Sequence, residues 1–154
     1  MAKYDQLPVF HETYMLLMTV FRDMNKVPRD VKYTLVENLK KELTDIIVLI
    51  YRANMVTNRE HIIDEAREKL VKVQIHFRVL HDMECISTKL FALSCSRTES
   101  ISRQLTAWMK YVERKNNMVN NISEPAYKKE IDAGIVGCEN PGSVLSKFSG
   151  PQGE

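Results

Sequence analysis

His81 and Cys85 stand four residues apart and could share one face of a helix, the kind of pairing from which a zinc site begins. Two ligands do not make a site, and the helix is expected to end there. A di-iron centre in a helix bundle needs Glu-x-x-His on two helices. The positions three before His11, His61, His76 and His81 hold Pro8, Asn58, Val73 and Arg78, so that chemistry is excluded. Cys95 lies between Ser94 and Ser96, but no histidine is near in sequence to act as base, and no glycine turn could build an oxyanion hole. Glu60, Asp64, Glu65 and Glu68 gather carboxylates on one stretch. Arg59, Arg67, Lys69 and Lys72 interleave with them, which is the pattern of a solvated, salt-bridged helix face. These residues predict no catalytic centre, no metal and no cofactor.

Glycine usage points the same way. All five glycines of the 154 residues lie at Gly134 and beyond. A phosphate-binding loop, a nucleophile elbow or hairpin-rich β-structure each needs positive φ or close backbone approach, which a long glycine-free stretch does not supply. Three cysteines, Cys85, Cys95 and Cys138, at wide spacing form no disulfide framework and point to a reducing compartment. The longest unbroken apolar run, Ile46 to Tyr51, is far shorter than the roughly 20 residues of a membrane span. Met1-Ala2-Lys3-Tyr4 opens without an apolar signal region or a myristoylation site. A soluble, cytoplasmic protein without membrane contact is the expectation.

One surface pattern could bind something. The net charge is only +2, yet residues 1–115 carry +4 and residues 116–154 carry −2. At 100° per residue, with Ile101 at 0°, Arg103, Lys110 and Arg114 fall at about 200°, 180° and 220°. Ala107 lies between them, so three cations line one helix face, with Lys115 at its end, where a cation suits the carbonyl pole. Lys41 and Arg52 stand off the seam of an earlier helix with Asp45 between them. Repeated around an oligomer, such a stripe becomes a phosphate-binding surface.

Four long helices must position these residues. The first opens with Pro8 and reaches about Lys26, with Phe10, Tyr14, Leu17, Phe21 and Met24 as its expected inner seam. The second runs from about Asp30 to Met55 on Val36, Leu39, Leu43, Ile46 and Ile50. The third starts at a capping-box match, Thr57 to Glu60, and carries Ile63, Ala66, Leu70, Val73, Phe77 and Leu80. The fourth spans about Ser87 to Lys115 on Leu90, Ile101, Leu105, Trp108 and Val112, with a kink or restart at Ser94-Cys95-Ser96, where Ser96 and Glu99 match a second box. Short connections predict an all-α, antiparallel up-down-up-down four-helix bundle over residues 1–115. Ile75 and Val79 project opposite the third helix's seam, which predicts a homo-oligomer with these two residues in the interface. In residues 116–154, Asn116, Asn117, Asn120 and Asn121 read as a hinge. A short helix ending near Asp132 and an irregular Gly/Pro/Ser-rich tail follow.

Leu7-Pro8-Val9-Phe10 with Thr13-Tyr14, then Ala53-Asn54, Glu65-Ala66, and Ile101-Ser102-Arg103-Gln104-Leu105 leading to Trp108 follow one another in a characteristic order. Over about residues 4–115 the chain resembles the four-helix-bundle family of ribosomal intervening-sequence proteins and of the accessory variability determinants (Avd) of diversity-generating retroelements. The resemblance implies a homopentamer with basic nucleic-acid-binding surfaces and no catalytic residues. In the retroelement branch it implies partnership with a reverse transcriptase in mutagenic copying of a template RNA, with DNA a further candidate ligand. The ribosomal branch implies instead a self-assembling bundle without a polymerase partner.

Overall fold

The computed structural model describes residues 3–123, which are all-α, with four long helices and no strand among them. The short helix expected to end near Asp132, the tail after it and Cys138 lie outside the described residues. Helix α1 is Pro8–Asp23, entered through a single 3-10 turn at Tyr4–Gln6. Pro8 sits in its first turn, where the missing N–H has no carbonyl to miss. Helix α2 begins as the turn Arg29–Val31, widens over Lys32–Val36, and continues as Glu37–Met55. In the wide turn the Glu37 N–H reaches the Lys32 carbonyl, a π-type bond that inserts a residue without ending the helix. Helices α3 and α4 are Glu60–Asp82 and Thr88–Ser123.

Residues up to Lys115 form one compact unit with a single apolar core. All the expected seam residues of α2 and α3 are buried. Helix α4 buries Ile101, Leu105 and Val112, and packs Leu90 and Trp108 half-buried against them. Helix α1 departs from expectation. Of its predicted seam Met24 alone is buried; Phe10 and Leu17 are half-buried, while Tyr14 and Phe21 are 46% and 49% exposed. The true inner face is Val9, Thr13, Leu16, Val20 and Met24, so the helix is turned from the orientation its aromatic residues suggest. Thr13 can lie in the core because its hydroxyl donates to the Val9 carbonyl at 2.7 Å; Thr19, also buried, donates to Met15 at 2.9 Å. Back-bonding of this kind satisfies both hydroxyls within their own helix.

Three helix ends also differ from the sequence pattern. Helix α1 stops at Asp23 rather than Lys26, with the Asn25 amide donating to the Arg22 carbonyl at 3.2 Å. Arg59, not Thr57, takes the N-cap of α3 and no side chain caps it, so the Thr57–Glu60 box is out of register and does not form. The restart at Ser94-Cys95-Ser96 is absent. Ser94 donates to Leu90 and Thr98 to Cys95, at 2.9 and 3.0 Å, and α4 runs on without a break. Its beginning does follow the pattern, since the Leu90 N–H donates to Ser87 Oγ at 3.1 Å. Helical backbone continues beyond the expected end at Lys115, through the expected hinge residues Asn116, Asn117, Asn120 and Asn121, to Ser123.

Polar bridges and ring contacts tie the helices together. Lys69 Nζ of α3 donates to Glu42 Oε2 and Asp45 Oδ2 of α2, at 3.1 and 3.0 Å. Arg97 of α4 pairs with Glu12 of α1 at 3.1 Å. Lys40 of α2 lies 4.5 Å from the centre of the Phe21 ring on α1. The His81 ring of α3 stacks on Phe91 of α4 at 4.3 Å.

Helix α3 ends in a Schellman turn built without glycine. The Cys85 N–H bonds to the Leu80 carbonyl and the Glu84 N–H to His81, each at 2.9 Å, and Glu84 takes φ of 57°. A side chain in that left-handed region costs about 1 kcal/mol that glycine would not. Glu84→Gly should therefore raise the urea midpoint, by about 1 kcal/mol of unfolding free energy at unchanged m. A lowered midpoint would show that the Glu84 side chain stabilises more than its backbone costs. Lys69→Met should lower stability by about 1–3 kcal/mol, because Glu42 and Asp45, neighbours on the same face of α2, would lose the cation they share. Bonds to Asp45 and then Glu42 hold the Lys69 ammonium above the ordinary lysine value of 10.5. Its contribution is thus complete below that value and is lost as pH rises through the raised one. The deficit of the variant should stay constant from about pH 6 to 9 and close only in stronger alkali.

Candidate nucleic-acid interface

The outer face of α4 carries the cations that the sequence singles out. Arg103, Lys110, Arg114 and Lys115 are all exposed, turned away from the buried Ile101, Leu105 and Val112 of the same helix. Among the described residues none of the four joins an ion pair; the Arg114 Nε donates to the Lys110 carbonyl at 3.2 Å, which ties Arg114 back along the helix. Two acids bound the stripe. Glu99, exposed, stands one turn before Arg103. Glu113 faces the α3 side, where it lines a shallow groove with Glu60, His61, Asp64, Arg67 and Met109. The acid-free stretch therefore begins at Arg103.

Lys41 and Arg52 of α2 are likewise exposed and outside any ion pair among the described residues. Asp45, which lies between them in sequence, is bonded to Lys69 at 3.0 Å. It pairs with Lys69, shared with Glu42, and not with Lys41 or Arg52 among the described residues. These two cations belong to α2 and the stripe to α4, two separate sets on different helices. Two more cations are engaged with aromatic rings: Arg29 lies 5.7 Å from the centre of Tyr33, and Arg59 lies 6.0 Å from that of Trp108, which is half-buried.

The candidates for chemistry are dispersed or otherwise engaged. His81 is stacked on Phe91, and Cys85 Sγ lies 3.6 Å from the Met83 carbonyl, so the two do not converge on one point. Among the described residues no group of three His, Cys, Asp or Glu side chains could hold a metal ion. The carboxylates of α3 are partly drawn into pairs, Asp64 with Arg67 at 3.2 Å. The lysines expected to share that face reach across to α2 instead, since Lys69 and Lys72 both point to Glu42. No described helix is long and apolar enough to cross a membrane.

Ile75 is 55% exposed and Val79 half-buried. With Val71, they line a groove between α3 and α4 whose other wall is Phe91, Cys95 and Thr98. What sequence reasoning missed is the outward row on α1, Tyr14, Met18 and Phe21, of which Tyr14 and Phe21 are expected in the core. The signal lay in Val9, Leu16 and Val20, whose spacing with Thr13 gives a complete inner face once a threonine is allowed there.

No protein-family model matches the chain, and no curated protein matches it. Because Arg103, Lys110 and Arg114 are exposed and outside ion pairs, changing all three to Gln should alter stability by no more than about 0.5 kcal/mol per site. Thermal melts followed by circular dichroism check this, and a large loss would mean that the stripe is part of the structure's support.

Proposed function

We propose that this chain is a non-catalytic, cytoplasmic accessory subunit that binds nucleic acid as a homo-oligomer and holds a template RNA for a partner reverse transcriptase. The observation that carries the reading is the row of exposed cations at Arg103, Lys110 and Arg114, extended by Lys115 and free of ion pairs among the described residues. A charge row of this kind engages phosphates rather than base edges, so it suits a structured RNA bound with little sequence preference, and DNA as well. Lys41 and Arg52 would supply further phosphate contacts. The resemblance to the Avd family supplies the polymerase partner and the homopentamer.

An antiparallel up-down-up-down order of the helices belongs to the same proposal. As α2 advances from Lys40 to Tyr51, its ring partners step back from Phe21 to Tyr4, just ahead of α1. Between α2 and α3, Glu42 meets Lys72 and Asp45 meets Lys69. Between α3 and α4, Arg59 lies over Trp108 and His81 over Phe91. Each of these series runs in opposite senses along its two helices. A second reading, a self-assembling bundle without a polymerase, is favoured by the exposed apolar residues Val71 and Ile75, which call for a protein neighbour and not for a phosphate.

Fluorescence anisotropy with a structured RNA separates the two. Engaging about 6–10 phosphates should cost roughly 10³–10⁵ in affinity between about 50 and 200 mM salt. The triple Gln variant should bind more weakly, with the slope of log affinity against log salt shallower by roughly 0.9 for each phosphate it no longer engages. An unchanged slope would move the binding face to Lys41 and Arg52. Wild-type protein that binds no nucleic acid at about 50 mM salt, alone or with the polymerase, leaves the assembly module as the function.

A further inference from the structure

We infer that the exposed row on α1, Tyr14, Met18 and Phe21, seats in the α3–α4 groove of a second copy of this chain, so that copies join head to tail. The inference rests on the self-association in the proposed function and names the surface that completes it. Tyr14, Met18 and Phe21 follow at spacings of four and three, so they form one ridge along the helix, and they are 46%, 43% and 49% exposed. The groove lies between two rows at spacings of four: Val71, Ile75 and Val79 on α3, and Phe91, Cys95 and Glu99 on α4. A ridge at helical spacing fits between two such rows, which is the way helices pack in protein interiors.

The aromatic residues of the flank are held in place before any partner arrives, Phe21 by Lys40 at 4.5 Å and Tyr14 through a chain of rings. Phe10 and Tyr14 stack at 6.4 Å, Tyr4 meets Phe10 edge-on at 5.3 Å, and Tyr4 meets Tyr51 at 5.1 Å. Side chains already fixed by neighbours lose little freedom on association. The area also fits. Tyr14, Met18 and Phe21 leave roughly 280 Å² exposed, taking about 200 Å² for each side chain, and Tyr4 and Tyr51 beside them bring the apolar flank to roughly 450 Å². A standard interface takes about 800 Å² from each partner, somewhat over half of it apolar, so the ridge with its flanking tyrosines supplies close to the apolar share of one side. The ridge lies on the α1–α2 side of the subunit and the groove on the α3–α4 side. Groove against groove would leave both ridges in water and a hollow between the copies. Ridge into groove covers both surfaces at once. Such an interface is heterologous, leaving each joined pair one free ridge and one free groove for the next copy.

Two variants of the full chain test this, a ridge variant (Met18→Glu, Phe21→Glu) and a groove variant (Val71→Glu, Ile75→Glu). All four sites are on the surface, and circular dichroism checks that helicity is retained. Sedimentation velocity should give an oligomer for the wild type, a monomer for each variant alone, and a species of twice the monomer mass, and nothing larger, when the two are mixed. Only a head-to-tail interface is restored, once, in the mixture. If either double variant loses helicity, Met18→Lys and Ile75→Lys give the same three readings. A wild-type monomer defeats the self-association reading itself. A wild-type oligomer whose ridge variant keeps its mass, or whose mixture stays monomeric, overturns this inference and leaves that reading standing. A ridge variant that keeps its mass but no longer binds single-stranded RNA would assign the ridge to nucleic-acid bases, and would overturn it too.

Discussion

Thr13 is the residue on which the arrangement of α1 turns. Its hydroxyl donates to the carbonyl of Val9, one turn back, and the side chain is fully buried. A hydroxyl satisfied within its own helix presents a methyl group and no unmet polar demand, so it packs as a small apolar side chain. Thr19, Ser94 and Thr98 are buried on the same terms, each bonded to a carbonyl of its own helix. The four hydroxyls are shared by α1 and α4, the two helices joined by Arg97 and Glu12. Because these positions are filled by small residues, Phe10, Tyr14 and Phe21 have no place inside, and they stand along the flank towards α2. The aromatic ridge is thus a consequence of how the core is filled, not an addition to it.

Helices α2 and α3 are organised differently. Their seams are purely aliphatic apart from Phe77, and the pair is bridged by a lysine shared between two carboxylates. Lys69 is largely buried and engaged on both sides, so it acts as a clamp and not as a surface charge. Its recruitment has a consequence for the rest of the surface. It draws the Asp45 and Glu42 carboxylates towards α3, and neither pairs with Lys41 or Arg52 among the described residues. The exposed cations of α2 and α4 are what remains after the interhelical pairs are made, which is why a chain of modest net charge still presents basic faces.

Legibility of the sequence followed from the same physics. The seams of α2 and α3 could be read residue by residue because every buried position is apolar, and periodicity counts apolar letters. The seam of α1 could not, since a threonine inside and aromatics outside invert the pattern that periodicity relies on. The expected break at Ser94-Cys95-Ser96 failed for a related reason: a serine whose hydroxyl bonds back along the helix supports the helix there and does not cap a new one. The Thr57–Glu60 box was misread by register, because the helix begins after Arg59. A Schellman turn carrying Glu84 in place of glycine left no signal at all. For the candidate site, the outward position of Arg103, Lys110 and Arg114 was legible from the 100° step alone, whereas the pairing of Asp45 with a lysine 24 residues away was not.

The cation stripe and the two apolar surfaces follow different faces of the chain, with Glu99 standing where the groove ends and the stripe begins. The ridge follows α1, the groove runs between α3 and α4, and the cation stripe occupies the face of α4 opposite its buried seam. In the proposed assembly this separation matters more than the strength of any one interaction. A short row of cations in one subunit holds phosphates weakly, because each exposed pair is screened within about 10 Å at ordinary salt. Copies joined through apolar surfaces bring several rows together without burying any of them, and their contributions then add along one nucleic acid. Burial of Arg103 or Lys110 in the interface would instead cost their hydration with no acid opposite to offset it. In the proposed assembly the segregation would therefore let one small helical chain associate by its apolar surfaces and keep its cations in water.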